Sequence, residues 1–317
     1  MGPCGEGFMT GIDKEQLRVT APAPDWYWQA MAVAPTSHRV TSDGCDLHYL
    51  RWNCRRASDP ASAPGLLLVH GGGGHGHWWS HLAPYFATGF NVVAMDQAGM
   101  GDSGTRGQSS VDQRAEDMLA VMADAGLGPR PFVIGHSFGG LMSTRLGQVH
   151  GDRVGGIIIA DSPVRTPESK AEFQKKRPRM GNKRIYATFD EALARFRLAP
   201  EQTCDNAFLV EHIGRHSIKR DADGFTWKFD GAAMGGRRFD EPFDRFLAGM
   251  TCRRALIYGE KSALLTPDNL AYMRDLMGPD VPVVGIPEAQ HHLTLDQPIA
   301  FLTTARAILA GWCIADR

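Results

Sequence analysis

The segment PFVIGHSFGG at residues 131–140 is the most informative one in this chain of 317 residues. Its apolar first half predicts a strand buried on both faces, and the residues at 139–150 predict an amphipathic helix after it. Gly135, Ser137 and Gly139 match G-x-S-x-G, which needs this setting because a sharp turn must hold the serine in a strained conformation beside small residues. The alternative, a glycine-rich turn with an incidental serine, does not explain the setting. We therefore predict that Ser137 is a nucleophile at the carboxyl end of a sheet.

Similar apolar runs recur on both sides of this segment. They are GLLLVH at 65–70, NVVAMD at 91–96, VGGIIIAD at 154–161, ALIYG at 255–259 and the run at 281–286. Further helices are predicted near 111–126, from Pro267 and near 297–312. Residues 38–40 and 47–52 flank a turn signal typical of a hairpin. The alternation of strands and helices predicts an α/β fold with a mostly parallel sheet and helices on both faces.

The alternation stops at about residue 162 and resumes at 255–259. The predicted organisation is an N-terminal arm (1–37), a core (38–161 and 248–317) and a cap (162–247). Thr188 and Glu191 form a capping box that predicts a helix start, and a second helix is predicted over 206–216. The cap is therefore expected to be mainly helical and to lie between the sixth and seventh main strands.

Three further segments carry a family resemblance. They are HGGG at 70–73, DQAGMGDS at 96–103 and PEAQHHLTLDQP at 287–298. They resemble the oxyanion loop, the D-x-R-G-x-G-x-S turn and the catalytic-histidine loop of the α/β-hydrolase fold. Gln97, Ala98 and Gln290 depart from the usual residues. The resemblance covers about residues 38–315 and implies an eight-stranded, mostly parallel sheet, an inserted cap and serine hydrolase chemistry.

The resemblance also implies which groups face the reacting carbonyl. By position, the backbone amides of Gly72 and Phe138 form the oxyanion hole. Acyl transfer places negative charge on the carbonyl oxygen, and one preorganised N–H donor lowers the barrier by about 3–4 kcal/mol. Gly71, Trp79 and His136 adjoin these positions and are predicted to contact the substrate.

The base and the acid differ in how clearly the sequence indicates them. The family places its catalytic histidine at the position of His291, so His291 is preferred to the adjacent histidine as the proton shuttle. The usual acid follows the seventh main strand, where this chain has Ser262, and a hydroxyl cannot stabilise an imidazolium as a carboxylate does. Asp161, at the end of the sixth strand, is the preferred acid. Glu260 is the second choice, with Asp268 or no acid as the remainder.

The cap is expected to define the substrate. Phe196 and Trp227 are predicted to line the pocket, although aromatic residues at helical spacing are more often core residues. The other candidate lining residues are Phe189, Phe208, Leu209, Ile213 and Phe229. Arg195 and Arg197 could meet a substrate carboxylate, but solvated side chains are the more common outcome.

Charge and motifs exclude several other kinds of site. The net charge is −1, which disfavours nucleic acid as a partner. The G-x-G-x-x-G formed by Gly99, Gly101 and Gly104 precedes a polar loop instead of opening a helix, so no dinucleotide cofactor is predicted. His212 and His216 lie four residues apart on a predicted helix, but the sequence indicates no third ligand. The glycine-rich segment with His70, His75, His77 and His81 gives no sign that these histidines converge. We predict no cofactor and no metal.

These features predict a cytoplasmic serine hydrolase that cleaves a small to medium apolar ester or lactone through an acyl-enzyme. The six cysteines are dispersed and the N-terminus lacks a signal pattern. No uninterrupted apolar run reaches the roughly 18 residues of a membrane span, so no membrane partner is expected. Carbon–carbon cleavage of a diketone, amide or thioester hydrolysis, haloperoxidase activity and a ligand receptor without turnover are the alternatives. A homodimer is left open.

Overall fold

The computed structural model describes residues 12–56, 62–175, 184–229, 231 and 240–315. The strands in these residues are β1 (Thr36–Ser42), β2 (Cys45–Trp52), β3 (Gly65–Val69), β4 (Asn91–Met95), β5 (Phe132–His136), β6 (Gly156–Ala160), β7 (Ile218–Asp221), β8 (Gly224–Trp227), β9 (Arg254–Gly259) and β10 (Val283–Ile286). Eight of them form one sheet in the order β1-β2-β4-β3-β5-β6-β9-β10, and β7 and β8 pair separately. In the large sheet β2 is antiparallel to β1 and to β4, and the other pairs are parallel. The predicted fold class is confirmed.

Helices cover both faces of this sheet. In the described residues they are α1 (Asp25–Met31), α2 (Ala83–Phe86), α3 (Val111–Asp124), α4 (Phe138–Val149), α5 (Pro167–Lys175), α6 (Phe189–Ala194), α7 (Ala207–His216), α8 (Phe243–Ala248), α9 (Pro267–Met277), α10 (Leu293–Asp296) and α11 (Pro298–Ala315). Alternate residues of the central strands enter two separate cores. In β3, Leu67 and Val69 pack with α3, α4, α8 and α9, whereas Leu66 and Leu68 pack with α2 and α11. This alternation explains why the central strands are apolar at every position.

The segment predicted to be the cap contains α5 to α8 and the β7–β8 hairpin. The hairpin is an addition to the mainly helical content that the sequence predicts. The capping box of Thr188 and Glu191 starts α6 as expected. In this segment, 176–183, 230 and 232–239 lie outside the described residues, and the boundaries at 162 and 247 stay a prediction.

Part of the predicted N-terminal arm packs on α7. Tyr27 of α1 is buried in a small core with Phe208, Leu209 and Ile213 of α7. Glu211 of α7 accepts hydrogen bonds from the backbone and side chain of Thr20 and from the backbone of Ala21. These contacts join residues 12–37 to the segment predicted to be the cap, while residues 1–11 lie outside the described residues.

The last helix, α11, is long and apolar enough to cross a membrane by length and composition, with a mean hydropathy of 1.5. Arg306 interrupts the apolar sequence, so the run itself is not continuous. Phe301, Leu302, Ala305 and Leu309 are buried against the sheet. Of this stretch 28% is buried in the described structure, and the buried residues form the face that packs on the sheet.

Candidate active site

Ser137 occupies a strained turn between β5 and α4. Its backbone φ is +53°, in the left-handed region that non-glycine residues rarely adopt. The turn needs glycine at the two positions after Phe138, because a side chain at either position would collide with neighbouring atoms. A Cβ at Gly139 would lie 2.5 Å from the carbonyl oxygen of His70, and a Cβ at Gly140 would lie 2.0 Å from Oγ of Ser162. The geometry is therefore that of the strand–turn–helix elbow that the motif requires.

His291 lies within hydrogen-bond distance of this serine. Its Nε2 is 2.9 Å from Oγ of Ser137, and its Nδ1 is 2.7 Å from Oδ2 of Asp161. A carboxylate oxygen can only accept, so Nδ1 carries the proton and Nε2 is left to accept the serine O–H. The structure thus brings Ser137, His291 and Asp161 into one hydrogen-bonded chain, although each comes from a different part of the sequence.

Asp161 is fully buried and its carboxylate is held by protein donors. Oδ1 accepts the backbone N–H of Gly259 at 2.9 Å, and Oδ2 accepts the hydroxyl of Ser262 at 2.6 Å. Ser262 stands where the usual family acid was expected, so its hydroxyl supports a carboxylate that comes from the neighbouring strand. The side chains of the other two candidate acids, Glu260 and Asp268, are exposed. Their hydrogen-bonding partners in the described structure do not include His291.

The glycine loop after β3 lies against the serine. A Cβ at Gly71 would lie 3.3 Å from Cβ of Ser137, so a larger residue there would make a tight contact with the serine. The carbonyl oxygen of Gly71 points into its own loop, where it accepts from the Gly74 N–H at 3.1 Å. Because a trans peptide directs its N–H away from its C=O, the amide of Gly72 points to the opposite side of the loop. The amide of Phe138 belongs to the first residue of α4, at the positive end of the helix.

His70 and Gln97 hold the glycine loop in place. Nε2 of His70 accepts the backbone N–H of Gln97 at 3.0 Å, so its Nδ1 must carry the proton, which it donates to the carbonyl of Gly71 at 2.7 Å. The side-chain amide of Gln97 donates to the carbonyl of His70 at 2.8 Å. Burial lowers the pKa of His70, which keeps this tautomer neutral. Gln97 departs from the family sequence, and the structure shows its contact with the loop, which the sequence did not indicate.

His136 has a different position from the one expected for a substrate contact. It is buried, and its Nε2–H donates to the carbonyl oxygen of His291 at 2.9 Å. The ring of Trp78 stacks on the ring of His136, with centroids 6.3 Å apart. Burial and the positive charge that His291 and His292 can carry lower the pKa of His136 well below its usual value. His136 therefore positions the backbone of His291, and its contacts within the protein correct the expected role.

The expected substrate contact at Trp79 is also corrected. Trp79 is 1% exposed and packs in the core against Phe301 of α11, with ring centroids 6.2 Å apart. The adjacent Trp78 is the tryptophan that approaches the site, because its ring contacts both His136 and His292. Successive side chains of a short 3-10 helix point in different directions, and the sequence alone could not distinguish the two tryptophans.

Phe196 and Trp227 pack on each other within the segment predicted to be the cap. Their ring centroids are 6.1 Å apart, and Trp227 also contacts Tyr186. Phe229 is the aromatic residue beside the glycine loop, since its ring lies 3.7 Å from the position of a Cβ on Gly73. Phe196 and Trp227 thus contact other aromatic residues of the same segment. Phe229, in contrast, lies over the glycine loop.

His292 and Asp296 connect the histidine loop to residues 200–206. The backbone N–H of His292 donates to the side chain of Gln202, whose amide donates to both carboxylate oxygens of Asp296 at 2.9 Å. Nε2 of His292 is 3.1 Å from the carbonyl oxygen of Pro200. Burial lowers the pKa of His292 to about 3. This ring is therefore neutral in the usual working range, and its described partners do not include Ser137.

The described residues hold three groups that could bind a metal ion. In the first, around His136, His291 and His292, ring nitrogens already bond to protein groups. In the second, the carboxylate of Asp96 accepts from His48 at 2.7 Å, and protein N–H groups occupy its other positions. The third group consists of His77, His212 and His216. His77 is the third member of this group, and the sequence did not indicate that it would lie near the other two.

The family model described as "Alpha/beta hydrolase family" matches residues 66–304. The chain belongs to this family. A curated relative of this hydrolase, Esterase Rv0045c of Mycobacterium tuberculosis, is 26% identical and covers 95% of this chain and 97% of its own length. The pimeloyl-[acyl-carrier protein] methyl ester esterase of Klebsiella pneumoniae is 23% identical over 74% of this chain and 90% of its own length.

A solved structure of E-2-(acetamidomethylene)succinate hydrolase has a similar fold, with a TM-score of 0.74 and 20% identity. It covers 87% of this chain and 99% of its own. The crystal structure of the Mycobacterium tuberculosis esterase Rv0045c has a TM-score of 0.66 and 22% identity, covering 95% and 99%. These relatives are hydrolases, which supports a hydrolase function for this member of the family.

Proposed function

We propose that this α/β hydrolase cleaves carboxylic esters through an acyl-enzyme formed on Ser137. The observation that carries the proposal is the hydrogen-bonded chain from Ser137 through His291 to Asp161, with distances of 2.9 and 2.7 Å. This arrangement supplies a nucleophile, a base and an acid that orients the base, which is the set that acyl transfer needs.

The first half of the reaction forms the acyl-enzyme. Oγ of Ser137 attacks the carbonyl carbon while its proton moves to Nε2 of His291, and the π electrons of the carbonyl move to its oxygen. The amides of Gly72 and Phe138 donate to this oxyanion. Asp161 stabilises the imidazolium without taking the proton. When the tetrahedral intermediate collapses, the bond to the leaving oxygen breaks and the alcohol takes the proton from Nε2.

The second half regenerates the enzyme with water in place of the alcohol. Nε2 of His291 removes a proton from water, whose oxygen attacks the acyl carbon. The bond between that carbon and Oγ of Ser137 then breaks, and the serine recovers its proton from His291. The products are a carboxylic acid and an alcohol, and the enzyme returns to its starting state without an oxidant, a reductant or a cofactor.

Ester hydrolysis is favoured over the other bonds that this fold can cleave. The relative that matches almost the whole chain is an esterase, and a second long match is a methyl ester esterase. Phe229 beside the glycine loop and Trp78 beside His136 are apolar surfaces next to the reacting groups. Both features fit an uncharged acyl chain of small to medium length, in an ester or a lactone.

The test is a series of p-nitrophenyl esters with acyl chains of increasing length, assayed with wild type and Ser137→Ala. We expect turnover in wild type and a loss of kcat by about 10⁴-fold or more in the variant. A fluorophosphonate probe should label wild type stoichiometrically and leave Ser137→Ala unlabelled. Unchanged turnover in Ser137→Ala would overturn the proposal.

The same assay distinguishes the alternatives. Matched anilides and a β-diketone replace the ester bond with an amide or a carbon–carbon bond, and we expect both to be cleaved much more slowly than the ester. Faster cleavage of either would change the assigned bond while leaving Ser137 as nucleophile. Tight binding of an ester or lactone, with neither turnover nor covalent labelling, would identify a receptor instead.

A further inference from the structure

The structure brings His77, on the loop after β3, to His212 and His216 on α7. Each of these residues offers one ligand atom, and the three atoms lie within 4.8 Å of one another. The rings of His77 and His216 have centroids 4.0 Å apart, and those of His212 and His216 are 4.3 Å apart. The spacing of His212 and His216 places both on one face of α7, and the fold adds the third ring.

Each of these imidazoles uses one nitrogen in a hydrogen bond that fixes its orientation. Nδ1 of His77 is 3.0 Å from Oγ of Ser80, and Nδ1 of His216 donates to the carbonyl of His212 at 2.9 Å. Nδ1 of His212 is 3.2 Å from the hydroxyl of Tyr27. All three partners can accept from an Nδ1–H, which leaves the Nε2 lone pair for a metal. Metal-binding histidines commonly have this outer hydrogen bond.

The second ring nitrogen of His212, Nε2, is buried without a hydrogen-bond partner in the described structure. His212 is 3% exposed, and its Nε2 makes no hydrogen bond there. Leaving a buried polar atom unsatisfied is costly, and natural proteins rarely do so without a bound group or a functional reason. A metal ion bonded to Nε2 would remove this cost. This observation is independent of the spacing of the three rings.

The three imidazoles border a cavity that gives access and room for a further ligand. The cavity has a volume of about 280 Å³ and is lined also by Tyr27, Trp28 and Ser80.

We propose that His77, His212 and His216 bind a divalent transition-metal ion of the zinc class, with water in the fourth position. Three imidazoles with one open position form an established zinc ligand set. Zinc–nitrogen bonds of about 2.0–2.1 Å put tetrahedral ligands about 3.4 Å apart, so zinc binding requires the three ligand atoms, which lie within 4.8 Å of one another, to adjust around the ion. The site is separate from Ser137 and does not depend on the proposed ester hydrolysis.

Bound metal would join two parts of the chain that are far apart in sequence. The loop of His77 already contacts the end of α7, because Nε2 of His75 is 2.9 Å from Oγ of Ser217. His77 also precedes Trp78, which stacks on His136 beside the catalytic histidine. Metal binding should therefore hold α7 against the loop that continues to the active site.

The test uses the full chain, freed of metal with EDTA and titrated with zinc sulfate by calorimetry. Wild type should bind one equivalent, and saturating zinc should raise Tm by about 5 °C. Cobalt(II) in place of zinc should give the strong visible absorption of a tetrahedral site. His77→Gln and His216→Gln should each weaken zinc binding by about 100-fold, and His38→Gln, on the distant edge strand, should have no effect.

Two comparisons keep the result unambiguous. The Tm of each variant in EDTA shows whether it folds, and hydrogen exchange in 207–216 should slow on adding zinc to wild type but not to His77→Gln. Zinc binding that survives His77→Gln and His216→Gln but disappears in His292→Gln would place the metal at the active-site histidines and overturn the proposal. The absence of one-equivalent binding by folded wild type would also overturn it.

Discussion

The hydroxyl of Ser262 donates a 2.6 Å hydrogen bond to Oδ2 of Asp161, the same oxygen that accepts Nδ1–H of His291 at 2.7 Å. Asp161 and Ser262 follow adjacent parallel strands, β6 and β9, which end at the same edge of the sheet. The carboxylate that follows one strand thus contacts the histidine, and the hydroxyl that follows the other strand supports that carboxylate. In the family sequence pattern the carboxylate is expected at the position of Ser262.

Ser262→Ala should lower kcat by about tenfold with little change in KM. A hydrogen bond to a charged group contributes about 1.5–3 kcal/mol, and the remaining Gly259 N–H retains part of the orientation of Asp161. Ser262→Thr keeps the hydroxyl and should retain most of the activity. Steady-state kinetics with a p-nitrophenyl ester checks both variants, and equal kcat in Ser262→Ala and wild type would contradict the prediction.

Asp161→Asn should lower kcat by about 10³- to 10⁴-fold. An amide cannot stabilise the imidazolium, and it favours the wrong tautomer of His291. Glu260→Gln is the matched control, because it makes the same chemical change at an exposed side chain only one strand away. We expect less than a twofold effect there, and a larger loss in Glu260→Gln than in Asp161→Asn would reassign the acid.

Because β6 and β9 are adjacent, exchanging the residues at positions 161 and 262 should restore part of the activity that is lost when the carboxylate at 161 is removed. In Asp161→Ser combined with Ser262→Asp, the carboxylate would come from β9 and the hydroxyl from β6. Because both positions already bond within one small cluster, we expect the double variant to exceed Asp161→Ser alone by about tenfold in kcat. Equal activities of the single and the double variant would show that the two positions are not equivalent.

Gln97→Leu should reduce kcat by about tenfold through the glycine loop. The substitution preserves volume but removes the donor to the carbonyl of His70, so the loop that carries Gly72 loses one of its two anchors. The rate of fluorophosphonate labelling should fall in parallel, since that reaction also needs the oxyanion donors. A fall in Tm with unchanged kcat per folded molecule would assign Gln97 a purely structural role.

Acid should destabilise the fold through its buried neutral histidines. Burial holds the pKa of His292 at about 3 in the folded chain, against about 6.5 when unfolded. Between these values only the unfolded state takes up the proton. The contribution of His292 is therefore complete above about pH 6.5 and is lost as pH falls toward 3, by up to about 1.4 kcal/mol per pH unit.

Urea unfolding at pH 8, 6 and 5 measures this loss. His292→Gln keeps a donor toward the carbonyl of Pro200 but cannot titrate, so its free energy of unfolding should depend less steeply on pH than that of wild type. Identical slopes for wild type and His292→Gln would refute the assignment.

Local patterns in the sequence were sufficient for the fold and for the strand–turn–helix setting of Ser137. Continuous apolar strands alternating with helices predicted the parallel sheet, and the strand–turn–helix setting of Ser137 depends on residues within ten positions of it. The histidine loop was indicated by the resemblance of its own short segment to the family pattern. Such features can be predicted because the physical requirement, a tight turn or a strand buried on both faces, acts over a few consecutive residues.

Other features required the tertiary structure, because they depend on which strand ends and loops meet. The sequence ranked Asp161 first among three acids, but its contact with His291 and Ser262 arises only where β6 and β9 lie side by side. It could not distinguish Trp78 from Trp79, whose directions depend on a short helical turn. Nor could it bring His77 to His216, 139 positions later, because the approach of a loop to a helix is decided by packing across the whole chain.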